Sequence, residues 1–166
     1  MGILDVTISI GTTWAIAGAA IAICTAGLST AIGCWAAGLA AAGSVAEKKE
    51  NFKNALVLQA LPQTQTVYAF ITALLIFMGI GLLGGKGINL DLPHGIAIFL
   101  AGLIVAVTSI SAIYQGMVAA AGIVSTTKNP DTFGPCLVFG GQCETTAIFG
   151  FILSLIFLIV GLGVLG

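Results

Sequence analysis

The stretch Leu39-Ala40-Ala41-Ala42-Gly43 recurs 79 residues further along the chain as Val118-Ala119-Ala120-Ala121-Gly122. The same offset, without a gap, carries Gln65 onto Glu144. An internal repeat of this length, with two apolar runs in each copy, predicts a duplicated helical hairpin whose copies share one orientation. The copies differ at one informative place, because the first has an amide where the second has a carboxyl group.

The composition predicts that lipid surrounds the chain. Hydrophobic residues make up 58% of the 166 residues, charged residues only 7%, and the mean hydropathy is +1.16. Soluble domains carry about a quarter charged residues, so we expect an integral membrane protein. The chain has no arginine and a formal net charge of -1. Neither a basic surface nor a nucleic-acid partner is therefore expected.

Four apolar runs, each longer than the ~18 residues of a spanning helix, are separated by short polar breaks. They cover approximately residues 11–46, 52–83, 95–124 and 133–166. The pattern predicts an all-α protein of two tandem hairpins, with residues 1–84 as the first, 85–94 as an external linker and 95–166 as the second. The linker contains Lys86, and the other four lysines lie at the two hairpin turns. The positive-inside rule then places both turns in the cytoplasm and both termini outside.

Small residues recur at every fourth position of the first run, which lets helix backbones approach closely in lipid. The stripe comprises Gly18, Ala22, Ala26, Thr30, Cys34, Gly38 and Ala42. It is compatible with ordinary packing in a four-helix bundle, or with a more crowded place such as the inner wall of a ring of many copies.

Glu144 is the one formally charged side chain deep in a predicted span, about ten residues into the fourth helix. A carboxylate at the bilayer centre costs at least ~2.5 kcal/mol, and no lysine or arginine lies at its depth to pair with it. It must therefore be protonated or hold a cation. This indicates a site that binds H⁺ or Na⁺ reversibly, the alternative being a neutral carboxyl group that only joins helices.

Other polar groups lie at nearly the same depth as Glu144. Thr64 and Gln65 are on the second helix, and Gln115 is on the third. Pro62 loosens the turn before them, which can aim the backbone carbonyl of Leu61 at a ligand. These oxygens exceed what a proton needs and suit a hard cation, so the set favours Na⁺.

Tyr68 lies one turn after Thr64, where it can hydrogen-bond the carboxylate or simply pack. The sequence contains no Ser/His/Asp or Cys/His constellation and no P-loop spacing. We therefore expect no catalytic residue, no nucleotide site and no tightly bound cofactor in this chain.

Three segments carry a resemblance to a known family: Leu58–Phe70, Gln115–Gly122 and Glu144–Phe151. They resemble the four-helix proteolipid (K, or c-type) subunit of V/A-type rotary ATPases, in particular its bacterial sodium-pumping members, and the likeness covers nearly the whole chain. The resemblance implies a rotor ring of many copies in the plasma membrane of a prokaryote. It also implies a stator membrane subunit with an essential arginine, and central-stalk subunits that link the ring to ATP hydrolysis or synthesis.

The resemblance also implies a set of sodium-binding residues, with the tyrosine closing over the carboxylate. They are the carbonyl of Leu61 with Thr64, Gln65, Gln115 and Glu144, and Tyr68 as the supporting residue. Gln63 and Cys143 depart from the family pattern, since a glycine and an apolar residue would be familiar there. Two alternatives stay open, a proton-coupled ring of the same type and a structural or channel-forming bundle that acts without an ATPase.

Overall fold

The computed structural model describes residues 8–84 and 89–162, and within these ranges the chain forms helices and turns without a β-strand. Four stretches of them are long and apolar enough to cross a membrane, which confirms the predicted all-α membrane architecture. These spans are Ile10–Glu47, Lys49–Gly79, Leu92–Lys128 and Pro130–Gly161. Part of the predicted linker, 85–88, and the end of the predicted fourth run, 163–166, lie outside the described residues.

The first and fourth spans are each built on one long α-helix, whereas the second and third are divided. The helices are α1 (Ile10–Glu47), α2 (Phe52–Ala60), α3 (Thr64–Gly79), α4 (Leu92–Thr108), α5 (Ser111–Lys128) and α6 (Phe133–Gly161). Short 3₁₀ turns occupy Lys49–Asn51, Leu61–Gln63 and Pro130–Thr132. The first and last of these turns close the two hairpins, and we call this side of the bundle the turn end.

Helix α4 begins at Leu92, three residues before the predicted start of the second hairpin. Pro93 stands in its first turn, where a missing N–H leaves no helical hydrogen bond unmade. The Asp91 carboxylate bonds to Nδ1 of His94 on the exposed surface. His94 is thus a surface residue with a carboxylate partner.

The third span is interrupted at Ser109 and Ile110, where the sequence alone predicts one continuous helix. The N–H of Ala112 there bonds to the carbonyl of Ser109, three residues back rather than four. Just before this interruption, the Thr108 hydroxyl donates to the carbonyl of Ile104 at 2.9 Å. Such back-bonding by a threonine hydroxyl slightly destabilises a helix, and a short Thr-Ser pair inside a strongly apolar run gives little sequence signal.

Helix α1 packs against α4 and α5 with backbone against backbone. Three pairs of glycines face each other there: Gly11 with Gly95, Gly18 with Gly102, and Gly33 with Gly116. A Cβ on the second member of any pair would overlap the backbone of the first. Only glycine permits this approach, which in lipid supplies the close packing that hydrophobic exclusion supplies in water.

The small residues of α1 do not form one straight buried stripe. Its first three members are buried, but Thr30 and Cys34 turn toward the second span, where Thr30 donates to the Pro62 carbonyl at 2.9 Å. Four residues turn an α-helix by more than a full circle, so a strict every-fourth pattern drifts by about 40° per step. Further along, the buried position therefore passes to other small residues such as Gly33.

Buried Asn51 joins the two hairpins at the turn end. Its Nδ2 lies 2.7 Å from Ser44 Oγ, 3.1 Å from Thr126 Oγ1 and 3.2 Å from Thr127 Oγ1. Lys48 Nζ donates to the Thr127 carbonyl at 2.7 Å. These bonds connect α1, the first turn and the end of α5, and they hold the two hairpins in register.

The outside of the bundle is strongly apolar. Leu28, Trp35 and Phe149 are each about two-thirds exposed, at 66%, 65% and 67%. Side chains of this kind along all four spans form the surface that lipid solvates. With the four spans, this surface makes the chain a multi-pass membrane protein.

Candidate functional site

The second span is interrupted where the sequence predicts a loosened turn. Pro62 has no N–H, so the carbonyl of Leu58 accepts the N–H of Leu61 instead, which tightens Leu61–Gln63 into a 3₁₀ turn. Thr64 and Gln65 follow immediately as the first residues of α3. The proline therefore sets the place at which these two polar side chains enter the bundle.

The Leu61 carbonyl is engaged by Thr64. It accepts the Thr64 backbone N–H and also the Thr64 hydroxyl, at 3.0 Å. In this arrangement both hydrogen bonds to the Leu61 carbonyl oxygen come from Thr64. A cation that used this oxygen would have to share it with, or take it from, the Thr64 hydroxyl.

Gln65 and Gln115 meet across the bundle, and both side chains are fully buried, at 0% exposure. Gln65 Nε2 lies 2.7 Å from Gln115 Oε1, while Gln65 Oε1 lies 3.2 Å from the Thr64 hydroxyl and shares its single proton with the Leu61 carbonyl. Gln115 Nε2 donates to the carbonyl of Gly140 on α6 at 3.0 Å. Each buried amide thus has partners at both its oxygen and its nitrogen, as buried polar groups require.

Glu144 is joined to α3 by Tyr68. The Tyr68 hydroxyl donates to Glu144 Oε1 at 2.6 Å, a length typical of a hydrogen bond to a charged oxygen. The ring of Tyr68 stacks on Phe151, with centroids 5.3 Å apart and an angle of 21° between the planes. Glu144 itself is partly buried, and the next two residues, Thr145 and Thr146, are exposed.

In the part of the chain that the structure describes, Glu144 has no cationic partner. The chain has no arginine, and its five lysines are at positions 48, 49, 53, 86 and 128, toward the ends of the spans. Within residues 8–84 and 89–162, the ion pair that forms is the surface contact of Asp91 with His94. Any charge that balances the carboxylate must come from a proton, a bound cation or another chain.

The structure brings the residues singled out from the sequence into two neighbouring groups. Leu61, Thr64, Gln65 and Gln115 form one hydrogen-bonded group, and Tyr68 with Glu144 forms the other. Because Gln65 and Tyr68 lie one turn apart on α3, the two groups are adjacent along that helix.

Sequence reasoning assigned no role to Gly140 or Phe151. Gly140 takes part through its backbone oxygen, for which its residue type gives no signal. Phe151 lies two turns beyond Glu144 and supports the site by stacking on Tyr68. It is one of many phenylalanines in the spans, so its residue type gives no signal. Gly140 lies one helical turn before Glu144, and this spacing was the sequence signal that could have indicated its role.

Only one complete set of side chains exists per four spans. At the 79-residue offset, the counterpart of Gln115 is Ala36, and the counterpart of Tyr68 is Ala147. The first copy has therefore lost the carboxyl group and the third-span amide that the second copy supplies. Fold and site together define a class of membrane protein, a duplicated four-helix bundle with one polar site around a mid-span carboxyl group.

Comparison with known proteins agrees with this class. The sequence pattern of the ATP synthase C-subunit family matches residues 17–76 and 99–157, once in each hairpin. The A-type ATP synthase subunit K of Methanocaldococcus jannaschii is 39% identical over 142 residues, which cover 86% of this chain and 60% of that protein. The V-type sodium ATPase subunit K of Enterococcus hirae is 37% identical over 145 residues, covering 87% of this chain and 89% of that protein.

The chain therefore belongs to the ATP synthase C-subunit family, as a proteolipid of the subunit K type found in V/A-type ATPases. The resemblance recognised from the sequence is confirmed. The chain spans 60% of the length of the archaeal relative.

Proposed function

We propose that this chain is the membrane rotor subunit of a V/A-type ATPase and that it carries Na⁺ across the membrane on Glu144. The observation that carries the proposal is the position of that carboxylate in mid-span, beside an oxygen-rich network and without a cationic side chain at its depth. The chain performs no catalysis itself. Its ion movement is coupled to ATP hydrolysis or synthesis in an attached soluble sector.

The choice of Na⁺ rests on the number of oxygens. A proton needs only the carboxylate and one partner, whereas a hard cation needs a shell of oxygen ligands. The proposed ligands are the carbonyl of Leu61 and the side chains of Thr64, Gln65, Gln115 and Glu144, with Tyr68 holding the carboxylate. The enterococcal relative, named as a subunit of a sodium ATPase, supports the same ion.

The charge of the site explains how a rotor would use it. With a cation bound, Glu144 is neutralised and its helix face can lie against lipid. Without the cation, the bare carboxylate needs a charge of opposite sign. We infer that an arginine of a stator membrane subunit supplies that charge, and that the exposed hydroxyls of Thr145 and Thr146 face this partner.

The assembly follows from the same proposal. Copies of the chain form a ring, with the glycine-paired α1 as the inner helix and α6 toward the lipid and the stator. The turn end lies in the cytoplasm against central-stalk subunits, and the termini lie outside the plasma membrane of a prokaryote. The lysines at the turns support this orientation.

Labelling with a carboxyl-directed carbodiimide tests both the residue and the ion. The reagent should modify Glu144 in membranes, identified by mass spectrometry of the peptide, and Na⁺ should prevent this where K⁺ at the same ionic strength does not. The carboxylates of the turns, such as Glu50 and Asp131, serve as internal controls whose labelling Na⁺ leaves unchanged. Labelling of Glu144 that ignores Na⁺ would overturn the sodium assignment.

A proton-coupled ring is the second candidate, because a carboxyl group with one partner, such as Glu144 with Tyr68, is sufficient for a site that only exchanges H⁺. In that case labelling of Glu144 follows pH alone. A bundle that acts without an ATPase is disfavoured by the family. It requires that Glu144→Gln leave ATP-driven ion transport intact, whereas we expect this variant to abolish it.

A further inference from the structure

A directional series of hydrogen bonds crosses three spans at the level of the proposed site. It runs from the Thr64 hydroxyl to Gln65 Oε1 (3.2 Å), from Gln65 Nε2 to Gln115 Oε1 (2.7 Å), and from Gln115 Nε2 to the Gly140 carbonyl oxygen (3.0 Å). Both glutamines are fully buried. If either amide exchanged the positions of its oxygen and nitrogen, it would therefore find no water to replace the lost partners.

The Gly140 carbonyl sets the direction of this series. A carbonyl can only accept, so Gln115 must turn its NH₂ group toward Gly140 and its oxygen toward Gln65. Gln65 must then donate to Gln115 and keep its own oxygen for the Thr64 hydroxyl. Gly140 lies four residues before Glu144 on α6, so in a regular helix the same carbonyl also accepts the Glu144 backbone N–H.

The residue type at position 140 permits the contact. A Cβ there would lie 2.6 Å from Leu61 Cδ1. With glycine, α6 comes close to the 3₁₀ turn of the second span, and its carbonyl is within reach of the buried Gln115 amide.

We propose that the Gly140 carbonyl is a positioning group of the ion site, which fixes the Gln115 amide so that Gln115 is a stationary ligand. This inference rests on the proposed function. Because the Gly140 carbonyl holds Gln115 Nε2, Gln115 Oε1 stays directed toward Gln65. One lone pair of Gln115 Oε1 accepts from Gln65 Nε2, and the other is left for a cation.

The variant Gln115→Glu distinguishes a positioning role of the Gly140 carbonyl from a site in which residue 115 acts only as a ligand. A protonated carboxyl group has one donor and one acceptor, like the fixed amide, whereas a carboxylate only accepts and would face the Gly140 carbonyl unfavourably. Binding of radiolabelled Na⁺ to the purified full-length protein is measured between about pH 6 and 9, a range in which a carboxyl group can exchange its proton. The wild-type profile over this range is the reference.

In Gln115→Glu the affinity should fall as pH rises, by about tenfold per pH unit once the introduced carboxyl group ionises. An affinity that rises with pH in the variant, as an added anionic ligand would produce, would overturn the inference. Gln63→Glu is the matched control, because Gln63 is exposed and outside the series. It should keep the wild-type pH profile.

A measurement on the unmodified protein covers the case in which Gln115→Glu does not fold. Solid-state NMR with isotope-labelled glutamine nitrogen and glycine carbonyl carbon should show a through-space contact between Gln115 Nε2 and the Gly140 carbonyl, with and without saturating Na⁺. Loss of the contact on adding Na⁺ would refute a stationary Gln115. Absence of Na⁺ binding in the wild type would instead refute the proposed function, and this inference with it.

Discussion

The hydroxyl of Tyr68 on α3 donates to the carboxylate of Glu144 on α6 across 2.6 Å. This bond joins the second span, with its altered turn, to the one mid-span carboxyl group. Because the Tyr68 ring is itself stacked on Phe151, the donor is held in place independently of the bond. The carboxylate is therefore positioned by a group that remains when its proton or cation leaves.

Tyr68→Phe should weaken Na⁺ binding about tenfold or more. The change removes the hydroxyl but keeps the ring that stacks on Phe151, and a hydrogen bond to a charged group contributes about 1.5–3 kcal/mol. The Na⁺ concentration that half-protects Glu144 from carbodiimide measures the effect. Tyr114→Phe, at a tyrosine that is 62% exposed, is the control and should leave that concentration unchanged. Equal effects of the two variants would argue against a role for the Tyr68 hydroxyl.

Thr64→Val should also weaken Na⁺ binding, by about tenfold, because it removes one oxygen ligand and the donor to Leu61 and Gln65. The two side chains have nearly the same shape, so the fold should be retained. Thr66→Val is a matched control, since the Thr66 hydroxyl bonds to Thr30 at 2.8 Å and lies outside the site. Binding of radiolabelled Na⁺ distinguishes them, and an unchanged affinity in Thr64→Val would remove Thr64 from the proposed ligands.

Gly102→Ala should destabilise the bundle by about 1–3 kcal/mol, the usual effect of overpacking. The added methyl group would overlap the backbone of α1 at Gly18. Thermal unfolding of the detergent-purified protein, followed by circular dichroism, should show a lower midpoint. Gly27→Ala, on α1 with open space around its Cβ position, should not lower it. A stable Gly102→Ala variant would mean that α1 and α4 do not approach at this point.

Asn51→Leu should loosen the turn end while leaving the ion site in place. The substitution removes the amide that bonds Ser44, Thr126 and Thr127, and leaving buried hydroxyls without this partner costs about 1–3 kcal/mol. Hydrogen exchange of backbone amides should speed up around both hairpin turns. Asn89→Leu, at an exposed position beyond the other end of the bundle, should leave the turns protected. Unchanged exchange in Asn51→Leu would show that the hairpins are held in register by other contacts.

The sequence predicted the architecture because two of its signals have long range. The repeat that carries Gln65 onto Glu144 and the four apolar runs each extend over many residues, so single exceptions do not obscure them. Pro62 predicted an altered turn, and a 3₁₀ turn is found there. The interruption at Ser109 coincides with local hydroxyl bonding inside an apolar run, which hydropathy does not reveal.

The polar network was predictable in its members but not in its bonding. Depth along each helix indicates that Thr64, Gln65 and Gln115 lie at one level. It does not indicate which amide donates to which, because that depends on the backbone carbonyl of Gly140. The hydrogen bond from the Thr64 hydroxyl to the Leu61 carbonyl also involves a backbone oxygen, so residue types could not predict it.

The most direct test of the account is equilibrium binding of radiolabelled Na⁺ to the purified protein, comparing the wild type with Glu144→Gln. We expect one Na⁺ bound per chain in the wild type, because one complete set of side chains exists per four spans, and none in Glu144→Gln. Saturable Na⁺ binding that survives in Glu144→Gln, or a wild-type protein that binds no Na⁺, would contradict it.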